Sequence, residues 1–360
     1  MNFIAVTLLL PLYYLNQHFK VTTQELSKLK KFLSTPRKIA IIMHKSPDGD
    51  AIGSSLGMYH FLNSFKHKLS VISPNAYPEF LKWMPGTKLV IDYSKKAAPA
   101  LAAIRSAELI ICLDFNALKR IEELGKEVAK SKALKLLIDH HPQPEGFADF
   151  ALHTINASST AELVFDFIDM LGEKKKINKN IANCLYAGIM TDTGSFRFSS
   201  TTIHTHNVTA QLMEHGAETT KVHQLIDDNN RESRMRLFGF ALLEKMKIFP
   251  EYCTGFIALT QSDLKRFDYR DGDTEGLVNQ PLSIKGIVFS ALFTEKADEE
   301  GIKISFRSKN TFNVNLFARA HFNGGGHLNA AGGSSDLSMD ETIMKFLRLL
   351  GTYKDHLQAQ

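Results

Sequence analysis

The strongest constraint on this chain is a junction that recurs along its first 141 residues: a short apolar run ends, and a residue able to ligate a metal follows at once. Residues 39–43 (Ile-Ala-Ile-Ile-Met) give way to His44, residues 108–113 to Asp114, and residues 134–138 to Asp139, His140 and His141. A continuous apolar run is what a strand covered on both faces requires. Between the runs lie helical patterns, such as residues 51–65 with Leu56, Tyr59, Phe61, Leu62 and Phe65. Strands alternating with helices predict βαβ units and a parallel sheet, whose strand carboxyl ends all lie on one edge. That edge can gather His44, Asp48, Asp50, Asp114, Asp139, His140 and His141 by the fold alone.

The densest of these junctions is His44-Lys45-Ser46-Pro47-Asp48-Gly49-Asp50, expected as a tight strand-to-helix loop built on Pro47 and Gly49. Residues 22–33 read as an amphipathic helix leading into the first strand, and 69–72 as a second strand followed by a Pro-containing loop. A helical stretch is expected up to about residue 132, and further helices over 162–171 and 181–190. The latter runs into Thr191-Asp192-Thr193-Gly194-Ser195-Phe196-Arg197-Phe198, which adds a carboxylate and an arginine. Lys174, Lys175 and Lys176 read as a solvated break. Residues 210–249 read as helical and charged, with the domain boundary inside them. Beyond, 254–260, 287–294 and 302–307 are strands, 313–321 a helix, Asn323-Gly324-Gly325-Gly326-His327 a loop, and 339–356 a closing helix. The expected fold class is α/β in two lobes: a parallel-sheet N-terminal domain over 22–215, a helical linker over 216–249, and a smaller α/β domain with a mixed sheet over 250–360.

At 360 residues, with 44% hydrophobic and 22% charged content, the chain can bury two ordinary cores. A formal charge of +5 permits an anionic substrate without demanding one. Three dispersed cysteines (Cys112, Cys184, Cys253) exclude a disulfide framework and a zinc knuckle, and favour a reducing, cytoplasmic setting. The apolar run at 3–15 is broken by Pro11, is too short to span a bilayer, and lacks a basic n-region. It is expected as a packed N-terminal extension over 1–21 or as an overcalled start, ahead of a weak membrane anchor.

Taken singly, a carboxylate at a strand end is often a helix cap, His-His a surface pair and Gly-Gly-Gly a turn. Together they suit a divalent cation such as manganese better than calcium, and the lack of thiolates argues against structural zinc. Two such ions sharing a carboxylate can polarise a phosphoryl group and activate water.

The order HKSPDGDAIGS, CLD, DHH and TDTGSFRF, with GGGH far downstream, resembles the DHH phosphoesterase family with its DHH-associated C-terminal domain, over residue 22 to the C-terminus. It is most similar to the branch of bifunctional oligoribonucleases (nanoRNases) that also dephosphorylate pAp. The resemblance implies two divalent metal ions, manganese by preference. His44 and Asp48 would ligate one, Asp50, His140 and Asp192 the other, and Asp114 would bridge them. It makes His141 the histidine facing the substrate phosphate and helping to protonate the leaving oxygen. Asp139 more plausibly orients a histidine than binds metal, since ligating imidazoles commonly need such a partner. Arg307, Gly324, Gly325, Gly326 and His327 would hold the substrate, with Asn116, Arg120 and Arg197 as weaker candidates.

The implied activity is degradation of short single-stranded RNA or DNA oligonucleotides and conversion of pAp to AMP, in a cleft between the lobes. No stable protein partner is implied, and a homodimer is compatible with the sequence. The rivals are a phosphodiesterase for cyclic or linear dinucleotides, an inorganic pyrophosphatase, and a nucleotide-binding module without turnover.

Overall fold

The structure is a computed structural model that describes residues 21–296 and 301–359. The apolar run at 3–15 lies outside the described residues. Contacts divide the chain between Asp228 and Asn229, inside the stretch expected to contain the boundary.

The first unit opens with α1 (Thr23–Leu33), capped reciprocally by Thr22 and Glu25. It continues through β1 (Lys38–Met43), α2 (Gly49–Asn63), β2 (Lys68–Ser73), β3 (Val90–Asp92), α3 (Ala97–Ser106), β4 (Leu109–Leu113), α4 (Glu123–Lys130), β5 (Leu134–Asp139) and β6 (Phe150–His153). Four helices follow: α5 (Thr160–Met170), α6 (Lys179–Asp192), α7 (Ile203–Glu214) and α8 (Thr219–Ile226). The six strands form one sheet in the order β3-β2-β1-β4-β5-β6, with every neighbouring pair parallel. Strand alternation explains the continuous apolar runs. Ile39, Ile41, Met43, Leu109, Ile111 and Leu113 face a core shared with α2, α5 and α6. Ala40, Ile42, Ile110 and Cys112 face a second core made with α3 and α4.

Helix α2 carries Gly49, Gly53 and Gly57 at four-residue spacing, which places them along one face. A Cβ at Gly53 would lie 2.5 Å from the carbonyl oxygen of Cys184 and 2.9 Å from the nitrogen of Gly188. One at Gly188 would lie 2.6 Å from Ala161 Cβ. The backbones of α2 and α6 therefore meet directly at Gly53, while Thr191 and Leu185 of α6 fill the space beside Gly49 and Gly57.

The second unit comprises α9 (Glu232–Phe240), β7 (Met246–Phe249), β8 (Thr254–Leu259), α10 (Gln261–Arg266), β9 (Phe289–Glu295), β10 (Ile302–Ser308), α11 (Val314–His321), β11 (Gly325–Gly326), β12 (Ala330–Ser335) and α12 (Met339–Gln358). Its sheet has the order β11-β12-β10-β9-β8-β7 and is mixed: β8 and β9 run parallel, the other pairs antiparallel. A phenylalanine cluster fills its core, with Phe289 placed 4.9–5.9 Å, centroid to centroid, from Phe306, Phe312, Phe317 and Phe346.

Several local expectations are corrected. Helix α2 begins at Gly49, so Gly49 is helical and Asp48 is the cap, accepting from the N–H groups of Asp50 (3.1 Å) and Ala51 (3.0 Å). The helical stretch before residue 132 is a 3-10 turn over Leu118–Ile121 followed by α4. The helical reading up to residue 249 fails at β7, where a π-turn over Ala241–Lys245 ends the helix. The loop at 323–327 contains the two-residue strand β11. Elements β3, α3, β6 and β12 were not anticipated. Among the described residues, no helix is long and apolar enough to cross a membrane.

Candidate metal centre

Each expected donor sits where a strand of the first sheet ends or where a helix starts or stops beside that edge. His44 follows β1, Asp48 caps α2, Asp50 lies in its first turn, Asp114 follows β4, His140 and His141 follow β5, and Asp192 closes α6. Asp114 adopts a left-handed backbone conformation (φ 66°) that is costly for a non-glycine residue and common at functional sites. Its N–H still bonds the carbonyl of Ile138 (3.2 Å).

The side chains fall into two donor groups that meet at Asp114. His44, Asp48 and Asp114 form one, and Asp50, His140 and Asp192 the other. His44 Nε2 stands 3.3 Å from Asp114 Oδ2 and 3.9 Å from Asp48 Oδ1. His140 Nε2 stands 3.4 Å from Asp192 Oδ2, 3.7 Å from Asp114 Oδ1 and 3.9 Å from Asp50 Oδ2.

Hydrogen bonding behind the rings shows what these groups suit. His44 Nδ1 lies 2.8 Å from the carbonyl of Lys45, and His140 Nδ1 3.3 Å from that of Ala157. A carbonyl only accepts, so each Nδ1 carries a proton and each Nε2 faces the carboxylates, where it either shares a proton with them or lends its lone pair to a metal ion. Electron-rich atoms facing one another across 3–4 Å need a cation between them, and imidazole with carboxylate is the donor set of a divalent metal.

The charges agree. Burial, then the charges of Asp114 and Asp192, push Asp50 well above the usual carboxylate range. Burial would lower His44, but the Asp114 hydrogen bond and the charges of Asp48 and Asp114 outweigh it and raise it. His140 is likewise raised, against its burial, by the charges of Asp114, Asp50 and Asp139. Burial opposes ionisation of Asp114, yet the His44 hydrogen bond and the charges of His141, His44 and His140 hold it far below its ordinary value.

Asp139 is wholly buried and stands behind this edge. Its Oδ1 is 2.8 Å from His141 Nδ1, and burial pushes its pKa up to about 6. His141 is depressed well below its ordinary value by burial and then by the positive charge of Arg120. The same arginine acts on His44 and Asp139, so it lies beside the centre. The Asn116 amide is committed to the carbonyl of Pro142 (2.6 Å), bracing the loop after β5.

The remaining expected residues lie outside these two donor groups. Arg197 is exposed on a left-handed turn after α6 (φ 55°, 59° and 64° at Gly194, Ser195 and Phe196), its Nε donating to the carbonyl of Gly194 (2.8 Å). Arg307, Gly324, Gly325, Gly326 and His327 lie in the second unit. Arg307 on β10 donates to the carbonyl of Phe306 (2.9 Å). Gly326 donates to Asn315 Oδ1 (3.1 Å), and a Cβ at Gly324 or Gly326 would overlap β12. The glycines of this loop thus let its backbone pack directly on β12, and the N–H groups of Gly324 and His327 are bonded to the carbonyls of Ala318 and Ala330.

Two contributors escaped the sequence reading. The N-terminus of α5 donates Thr160 N–H and Ala161 N–H to the two oxygens of Asp50 (2.6 and 2.8 Å), and Thr160 Oγ1 donates to Asp114 Oδ1 (2.9 Å). The usable signal was Ser158-Ser159-Thr160-Ala161-Glu162: Ser159 is the cap, so the helix starts two residues before Glu162. The second is His153, considered below.

Paired hard-donor groups at the carboxyl edge of a parallel α/β sheet suit a metal-dependent hydrolase. Residues 38–189 match the DHH family, N-terminal domain, and residues 252–353 match the DHHA1 domain. The chain belongs to the DHH family of phosphoesterases. It is 30% identical, over 86% of its length and 88% of the relative's, to a bifunctional oligoribonuclease and PAP phosphatase of Thermus thermophilus. It is 27% identical to a cyclic-di-AMP phosphodiesterase of Bacillus subtilis, over 90% of this chain but 49% of that protein. The crystal structure of an exopolyphosphatase-related protein from Bacteroides fragilis is similar at a TM-score of 0.89 and 43% identity, covering 94% of this chain and 98% of that one.

Proposed function

We propose that this phosphoesterase is a cytoplasmic, manganese-dependent enzyme that degrades short oligoribonucleotides to mononucleotides and removes the 3′-phosphate of pAp. The observation that carries the reading is the pair of donor groups meeting at Asp114. His44, Asp48 and Asp114 would hold one divalent ion, and Asp50, His140, Asp192 and Asp114 the other. When bound, such a pair supplies Lewis-acid polarisation of the phosphoryl group and activation of water.

The chain's own residues do the rest. The α5 N–H groups fix both oxygens of Asp50, and Thr160 fixes one oxygen of Asp114, so the donors are held before a ligand arrives. Asp139, ionised at neutral pH, keeps His141 in the tautomer with Nδ1–H, which leaves Nε2 for the substrate and for a proton moving to the leaving oxygen. Arg307, the Gly324–Gly326 backbone and His327 hold the far end of a short substrate, with Arg197 as a further anion contact. The cytoplasmic assignment is supported by cysteines that form no disulfide.

A manganese-supplemented time course offering pAp, a labelled RNA dinucleotide, a longer single strand and a cyclic dinucleotide tests this reading. AMP from pAp with rapid dinucleotide cleavage is the expected result; preference for the longer strand defeats the short-substrate assignment. Preference for the cyclic compound favours the second reading, a cyclic-dinucleotide phosphodiesterase, which the Bacillus subtilis relative motivates.

A further inference from the structure

His153 is the last residue of β6, an edge strand paired only with β5, and its Cα lies in register with that of Asp139. Its ring is wholly enclosed at 1% exposure. Nε2 lies 2.6 Å from the backbone carbonyl of His141 and 3.9 Å from Asp139 Oδ2. The carbonyl can only accept, so Nε2 carries the proton and donates it. The other carboxylate oxygen, Oδ1, is the one 2.8 Å from His141 Nδ1. One imidazole therefore bonds the main chain of His141 and flanks the carboxylate that orients the His141 side chain.

We infer that His153 is a positioning residue for His141, fixing its backbone through the carbonyl while its ring packs against the Asp139 carboxylate. The reason is geometric. Asp139, His140 and His141 leave the end of β5, where sheet pairing no longer constrains the chain, and β6 ends level with them. A buried carbonyl deprived of its donor moves to find another, and a shift of about 1 Å at a catalytic group can cost roughly a hundredfold in rate. Of the donors for the ions only His140 shares this segment, and its ring is held separately, with Nδ1 3.3 Å from the carbonyl of Ala157.

The inference rests on the role proposed for His141. In His153→Leu, kcat on pAp is expected to fall roughly 10- to 100-fold while KM changes little, because only the placement of the proton-transferring ring is disturbed. In His153→Gln, whose amide N–H can reach the same carbonyl, kcat should return to within about threefold of the parent. A readout independent of turnover is the low-field proton resonance of the Asp139–His141 hydrogen bond in the metal-free protein: present in the parent and the Gln variant, shifted or lost in Leu.

Should a thermal melt show the Leu variant unfolded, His153→Asn replaces it, since its shorter amide cannot reach the carbonyl. Equal kcat in the parent and Leu variant, or equal impairment of Leu and Gln with the resonance unchanged, overturns the inference. His141→Ala separates the two failures. If it is inert while His153→Leu is fully active, only the role of His153 falls; if it is fully active, the proposed role of His141 falls.

Discussion

The two units spend their interiors differently. The first buries His44, Asp50, Asp114, Asp139, His140, His141, His153 and Glu162 around and behind one sheet edge. The second encloses a phenylalanine core, and its buried carboxylates are each committed locally: Asp263 pairs with Lys245 (2.8 Å), and Asp273 with Arg231 (2.5 Å). Buried, mutually repelling carboxylates cost folding energy, so their concentration in one unit marks where chemistry was favoured over stability. On the proposed reading the second unit contributes Arg307 and the glycine loop, which demand no buried charge.

Substitutions can break this contrast, and the largest effect belongs to the first unit. Asp114→Ala removes the carboxylate that stands between the two donor groups, 3.3 Å from His44 Nε2 and 3.7 Å from His140 Nε2, and should lower turnover roughly a thousandfold or more, as loss of an ion clamp worth several kcal/mol implies. Steady-state assay with manganese checks it, and normal activity in that variant would defeat the shared-ligand assignment. Phe346→Ala in the second unit should instead cost stability, about 3–5 kcal/mol for a buried phenylalanine, visible as an earlier thermal transition. Arg307→Ala should raise KM for pAp roughly 10-fold with kcat nearly unchanged, because a charged hydrogen bond is worth about 1.5–3 kcal/mol. An equal fall in kcat would move Arg307 into the chemical step.

The smallest effect is a pH response of the first unit. His67 is buried and stacked on Phe65, and its Nδ1 accepts the N–H of Arg37 (3.0 Å). Burial, then the charge of Arg37, lowers its pKa. The folded state therefore binds this proton less readily than the unfolded chain. Stability from the neutral ring is present above the ordinary histidine value and is lost as pH falls through it toward the folded value. Melting curves between pH 7.5 and 5.5 should show the parent losing about 1 kcal/mol more on acidification than His67→Gln, the worth of one hydrogen bond.

What could be read from the sequence follows the same division. Strands β1, β4 and β5 were legible because burial on both faces forces uninterrupted apolar residues, and the donors were legible because each follows such a run. Strand β12, Ala-Ala-Gly-Gly-Ser-Ser, was not: small residues carry no β signal, and only pairing with β10 and β11 makes them a strand. Thr160 and His153 were missed for another reason. Thr160 acts on Asp50 across 110 residues and His153 on His141 from the neighbouring strand, and only the folded sheet brings each pair together.

The glycine contact between α2 and α6 has a consequence for inheritance. Asp50 rides on one of these helices and Asp192 on the other, so the span between them is a main-chain dimension rather than a choice of rotamer. Side chains around the substrate can be exchanged, and new specificities reached, without disturbing that span. A single added methyl at Gly53 or Gly188 would separate the helices and alter it, whatever the substrate. The centre can therefore stay fixed while what it cuts diversifies.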